Sequence, residues 1–314
     1  MLKQIILSCL LVMCAMTAFA DNHNEVNPKA VQIVPLVQFE NLNLTSQHIQ
    51  STSVGLLFNS ENLIFTGLYT QHEFDEPLLY GFPSRYHSID MLLDGEKGRH
   101  QYLGIFKSES DQPVSGGINT YQTAAVYGYE VIDKPDLSLV LGGGIAVGNF
   151  GVETSDGENW PLIPVPLVRV NYHTDWLDTR FEFLTSPTLS FTMAPKSRMR
   201  LNGDFRMDQS RDSRDIIYEV ALEYRPYSEQ DKRGDFAGVS IGVKNDNYGA
   251  FNLGNEGEDE TLEVHYNSIF AAVDVSVLKI TAGYAFDGRA LYRETQKQDL
   301  GEGLFLSVQA MCPF

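Results

Sequence analysis

Cysteine is nearly absent from the part of the chain that has to fold. Of the three present, Cys9 and Cys14 stand in the first twenty residues, which leaves Cys312. One thiol cannot close an internal disulfide, so order has to come from a core or from a closed sheet. Positive charge is also scarce. Lys and Arg total 23 against 41 Asp and Glu, for a formal net charge of -18. Such a chain repels nucleic acid, which excludes that class of partner. After residue 20 no run approaches eighteen apolar residues, so a membrane helix is excluded as well. Helical periodicity is missing through almost the whole sequence.

The start, "MLKQIILSCLLVMCAMTAFADNHNE", has a Lys3 n-region, an apolar stretch from Ile5 to Met16, and small residues at Ala18 and Ala20 before polar Asp21. This reads as a secretory signal over 1–20, cut between Ala20 and Asp21. Residues 21–314 then form a single domain with a short polar lead-in.

Strand periodicity is abundant. In "SRMRLNGDFRMD", Met199, Leu201, Gly203, Phe205 and Met207 share one face, and Arg198, Arg200, Asn202, Asp204, Arg206 and Asp208 share the other. The pleat sends successive side chains to opposite faces, which gives the period of two. "DIIYEVALEYR" repeats it, with Ile216, Tyr218, Val220, Leu222 and Tyr224 opposed to Asp215, Glu219, Glu223 and Arg225. "PLVRVNYH", "DTRFEFL" and "LKITAGYAF" do the same. Further strands are expected near 47–58, 62–73, 101–108, 119–132, 137–150, 187–194, 236–246 and 262–274. Tight turns such as "KPD" and "TDW" alternate imperfectly with longer acidic joints such as "ETSDGENW" and "GNEGEDE".

Many of these strands have the length a tilted strand needs to cross a bilayer. The end of the chain, "GLFLSVQAMCPF", puts Leu304, Leu306, Val308, Ala310, Cys312 and Phe314 on one face and Phe305, Ser307, Gln309 and Met311 on the other. That is an apolar face closed by a terminal aromatic residue. With the secretory start, it points to an all-β antiparallel transmembrane β-barrel. At roughly 20–25 residues per strand and connection, about 12–14 strands are expected. A soluble periplasmic all-β protein, with the polar faces outside, is the competing architecture.

The block "WPLIPVPLVRVNYHTDWLDTRFEFLTSPTLSFTMAPKSRMRLNGDF" resembles a group of Gram-negative outer-membrane β-barrel proteins of unknown function. The shared features are Pro161, Pro164 and Pro166, the strand start at Trp176, Ser186-Pro187, and Ala194-Pro195; "LEYRPY" and "AGYAFDGRALYRE" add to the likeness. The resemblance implies a barrel in the outer membrane. It brings no known activity and no assigned catalytic residue, and from the residues themselves no cofactor and no metal are expected. The partners that follow are outer-membrane lipid, lipopolysaccharide and the barrel assembly machinery, which would read Phe314 in the closing strand.

Chemistry is thinly signalled. "LGGGIAVGNFG" lacks the helix a phosphate-binding glycine motif requires, and its glycines read as aids to strand contact. The seven His residues show no metal-ligand spacing. His173, Asn171 and Ser190 would be the material for a barrel enzyme acting on lipid. The acidic joints read as solvated surface, with divalent cations as an alternative. The charged faces carry more information. Charge facing hydrocarbon is costly, so Arg169, His173, Arg180, Glu182, Arg198, Arg200, Asp204, Arg206, Asp215, Glu219, Glu223 and Arg225 are expected to line the lumen. There they would either brace a filled interior or border a water-filled pore for a passive channel.

Overall fold

The computed structural model describes residues 31–77, 83–150, 162–207, 216–226, 237–252, 261–292 and 296–311. The secretory start, the cleavage pair Ala20 and Asp21, Asp215 and the terminal Phe314 lie outside the described residues. Side chains of 119, 246–252 and 261 are likewise outside them.

Sixteen strands follow in order: β1 (Gln32–Leu44), β2 (His48–Ser60), β3 (Leu63–Phe74), β4 (Arg85–Lys97), β5 (His100–Ser110), β6 (Tyr121–Lys134), β7 (Leu137–Gly148) and β8 (Leu162–His173). They continue with β9 (Leu177–Phe183), β10 (Pro187–Met193), β11 (Met199–Met207), β12 (Ile216–Tyr224), β13 (Ala237–Asn252), β14 (Thr261–Val275), β15 (Leu278–Tyr292) and β16 (Gln296–Met311). Each pairs antiparallel with its neighbours, and β1 pairs with β16, so the sheet is a closed barrel with no free edge strand. It is the all-β antiparallel barrel that the alternation predicts.

The strand number exceeds the expected 12–14 because most connections at one end are very short. We call that end, where β1 begins and β16 finishes, the lower end. There β2 to β3, β4 to β5, β6 to β7 and β14 to β15 turn on two residues each. Gly98 (φ 60°) and Ser276 (φ 55°) supply the left-handed conformation such two-residue turns need. The strands that periodicity overlooked are β1 and β4. In both, apolar and polar residues occupy each face, so the period of two is blurred.

The outward face is an apolar belt. Leu304 is 65% exposed and Ile269 58%, and Ile241, Leu306, Val273 and Tyr284 are exposed beside them. The closing strand divides as its alternation predicts: Leu304 and Leu306 face out, and Phe305 is buried.

The interior is less simple. β5 and β13 stand eight strands apart, on opposite walls. A round sixteen-strand barrel would be roughly 30 Å across, from strand spacing and tilt. Yet Cα atoms of β5 and β13 come within 8 Å of each other. The barrel is pinched into two lobes. One lobe holds an apolar cluster from β1–β4, β12 and β14–β16, including Leu42, Ile49, Tyr86, Leu262, Tyr266 and Phe305. The other holds a cluster from β5–β8 with Leu184, including Leu103, Val126, Val140, Val165 and Leu167. Apolar burial therefore serves the inside of the barrel as well as the outside, which polar lumen-facing patterning alone did not anticipate.

Candidate functional site

Polar side chains are buried in the upper half of the lumen, Ser51, His72 and Ser88 among them, and they also border its lower half. Two cavities lie there. One, of about 490 Å³, is bordered by Asn171, Asp178, Arg180, Ser190, Thr192, Asn202, Asp204 and Glu219 on β8–β12. The other, of about 120 Å³, is bordered by Gln38, Glu40, Lys244, Lys279, Ser307 and Gln309, and again by Glu219. Cross-strand register explains the rows. Asp204 stands opposite Glu219, and Glu219 opposite Lys244, so acid, acid and base succeed one another around the wall.

Several expected residues meet in one network. Arg169 is buried, with a side chain 6% exposed. Its Nε donates to Glu182 Oε2 at 2.6 Å, its Nη1 donates to Gln101 Oε1 at 2.8 Å, and its Nη2 lies 3.3 Å from Asp94 Oδ2. Arg180 joins through Glu182 Oε2 at 2.8 Å and Asp94 Oδ2 at 3.8 Å. Asp94 is on β4 and Arg169 on β8, so the network passes over β5 to β7. Glycines clear the way: a Cβ on Gly128 would lie 2.6 Å from Val140 Cγ1 and 2.8 Å from Leu167 Cδ2. Within "LGGGIAVG", Gly142 faces Gly128 in register, so the glycine-rich run serves close strand contact and not phosphate binding.

A second network surrounds Glu223. Its Oε1 accepts from Arg225 Nε at 2.7 Å and its Oε2 from Asn202 Nδ2 at 3.0 Å, with Arg200 opposite in register. Arg225 and Arg198 are not strand residues. They lie just beyond β12 and before β11 at the lower rim, where Arg225 N–H donates to Arg198 C=O at 2.8 Å. The turn chemistry at 194–198 ends the strand before Arg198 can join it. Arg206 sits near the upper end of β11, exposed, opposite Thr188 and Ile217.

The residues of the enzyme alternative do not assemble. His173 is at the lower rim, its Nδ1 3.6 Å from Asp178 Oδ2, and no hydrogen bond joins it to Ser190. Asn171 donates instead to Ser138 Oγ at 3.0 Å. Sequence reasoning missed a different histidine. His72 is buried between two hydroxyls, with Nδ1 2.9 Å from Ser51 Oγ and Nε2 3.1 Å from Ser88 Oγ. Only the closure of β2, β3 and β4 side by side brings these three together. In a lower-end turn, Lys196 Nζ donates to Asp175 Oδ1 at 2.5 Å and holds that exposed carboxyl below its ordinary value.

No protein-family model matches the chain, and no curated protein does. Solved structures do. The chain is similar to OccAB3 of Acinetobacter baumannii at 8% identity and a TM-score of 0.42, over 90% of this chain and 99% of that one. It is similar to CdiB of the same species at 11% identity and a TM-score of 0.45, over 90% of this chain and 60% of that one. OpdK of Pseudomonas aeruginosa, solved with vanillate, aligns at 8% identity and a TM-score of 0.34, over 90% and 99%. At these scores no solute or residue role passes from them to this chain.

Proposed function

We propose that the protein is a passive outer-membrane barrel of a Gram-negative cell, a narrow conduit for small charged solutes that is shut at its upper end at rest. The observation that carries this reading is the pair of charged cavities in the lower half of the lumen, which share Glu219, in a barrel that two packed apolar clusters otherwise narrow. Water can fill these cavities between the polar side chains that border them. The exposed apolar belt supports lipid outside. The short turns support the lower end as the periplasmic one, as in barrels that keep tight turns on that side. In this reading lipopolysaccharide packs against the upper belt, and the assembly machinery takes the chain by its last strand through Phe314.

Planar-bilayer recording of the purified barrel tests it. Brief, small openings are expected for the wild type, with more frequent ones after Arg169→Ala. A large steady conductance in the wild type overturns the closed state. Silence in both proteins across a wide voltage range overturns the conduit.

A further inference from the structure

Arginines crowd β8, β9 and β11, and by number they would draw anions into the lumen. Their contacts withdraw most of that charge. Arg169 and Arg180 share the carboxylates of Glu182 and Asp94, two cations against two anions. Arg200 is buried opposite Glu223, whose other contacts include Arg225. Arg198 lies at the lower rim. Arg206 lies above the larger cavity, at the upper end of β11, where its charge acts on Asp90 of β4.

The acids on the same wall are treated differently. Register places Arg180, Ser190, Asp204, Glu219 and Lys244 in one row across β9 to β13. The first four of them border the 490 Å³ cavity, and so does Asp178. Arg180 is committed to its carboxylates, and Lys244 holds its Nζ 5.2 Å from the centre of the Phe305 ring. Asp204 and Glu219 have no ion pair and no side-chain hydrogen bond among the described residues. They face each other across adjacent strands, about 5 Å apart at the backbone. Like charges directly opposite destabilise a sheet. Here the cost is borne at the wall of a cavity, where a passing cation would relieve it. Glu219 borders the smaller cavity too, where Glu40 is set against Lys244 and Lys279. The excess of negative charge therefore belongs to the larger one.

We propose that Asp204 and Glu219 set the selectivity of the lumen, so that the solutes admitted are small inorganic and alkylammonium cations and anions are held out. No ion has to stay bound. Two unneutralised carboxylates on one wall of a confined space set a potential, and the potential sorts solutes by sign. The inference deepens the conduit reading and rests on it.

Two measurements test it. With Cys312→Ser as background, Ser190→Cys puts a thiol in the cavity of the mature barrel in lipid nanodiscs. Its rates with a trimethylammonium and a sulfonate methanethiosulfonate reagent are each divided by the rate for free mercaptoethanol. The cationic reagent should be favoured about tenfold or more in dilute salt, and less at high salt. Asp204→Asn and Glu219→Gln should each cut that ratio about threefold, with the folded band on unheated gels retained, because each removes a repulsion. Glu61→Gln, in the β2–β3 turn across the barrel, should leave it unchanged. In bilayers under a potassium chloride gradient, the reversal potential should show potassium preferred, and the double variant should lose that preference. Equal rates, a faster anionic reagent, a thiol that neither reagent reaches, or openings that prefer chloride overturn the inference. Silent bilayers with a cation-favouring thiol overturn the conduit alone.

Discussion

Arg169 Nη2 lies 3.3 Å from Asp94 Oδ2 although three strands of the barrel separate the two residues. The contact is a chord across a curved wall, made over strands that carry glycine where it passes. Arg169→Ala would leave Asp94 and Glu182 with the half-exposed Arg180 in place of a buried guanidinium, at a cost of about 3 kcal/mol. The expected result is a lower temperature for the loss of the fast-migrating band on gels. An unchanged temperature would show that the network is not a brace.

On the outer face, Phe191 stands opposite Gly203, and its ring lies where a Cβ on Gly203 would go, with Phe191 Cδ1 3.1 Å from that position. Gly203→Ala is expected to destabilise by about 1–3 kcal/mol through overpacking. Phe191→Leu removes the obstruction, so the double variant should lose less than the two single losses added together. Simple additivity in a denaturant titration would argue that ring and glycine do not interact.

The belt makes its own prediction. Ile269, 58% exposed at the middle of β14, becomes costly as arginine, by about 2–4 kcal/mol at the bilayer midplane. Refolding into phospholipid vesicles measures it. A tolerated Ile269→Arg would place that face in water.

Asp175 offers a test in pH. The hydrogen bond from Lys196 lowers its pKa, so the folded state holds fewer protons on this group than the unfolded state does. Its contribution is present above the unfolded carboxylate range and is lost as pH falls through the lowered folded value. A carbon-detected titration should show Asp175 below a typical Asp, and Lys196→Ala should return it to that range. Identical curves in both proteins would dismiss the pair.

Deleting Phe314 is expected to impair membrane insertion far more than the loss of one ring's area explains. Pulse-chase fractionation of outer membranes reads this directly; normal insertion of the truncation removes the assembly role proposed for that residue.

Much of this architecture is local and therefore legible. The pleat imposes its period on each segment separately, so β8, β11, β12, β15 and β16 can be read from a few residues each. Charges that hydrocarbon would penalise mark the inner face of those strands, and Arg169, Arg180 and Glu182 could be placed on it before any pairing was known. The partners of those charges could not. Asp94 and Gln101 lie about seventy residues from Arg169 in sequence. β1 and β4 escaped because packed apolar lobes blur alternation where the lumen is not wet.

The sequence by itself determined an all-β chain with one lipid-compatible face, since a two-residue period suffices for that. Tertiary structure alone decided that sixteen strands close, that β5 meets β13, and that Asp204 stands opposite Glu219. Closure couples every strand to two neighbours and to the opposite wall, and such distances are set by the whole ring and not by any one segment of it.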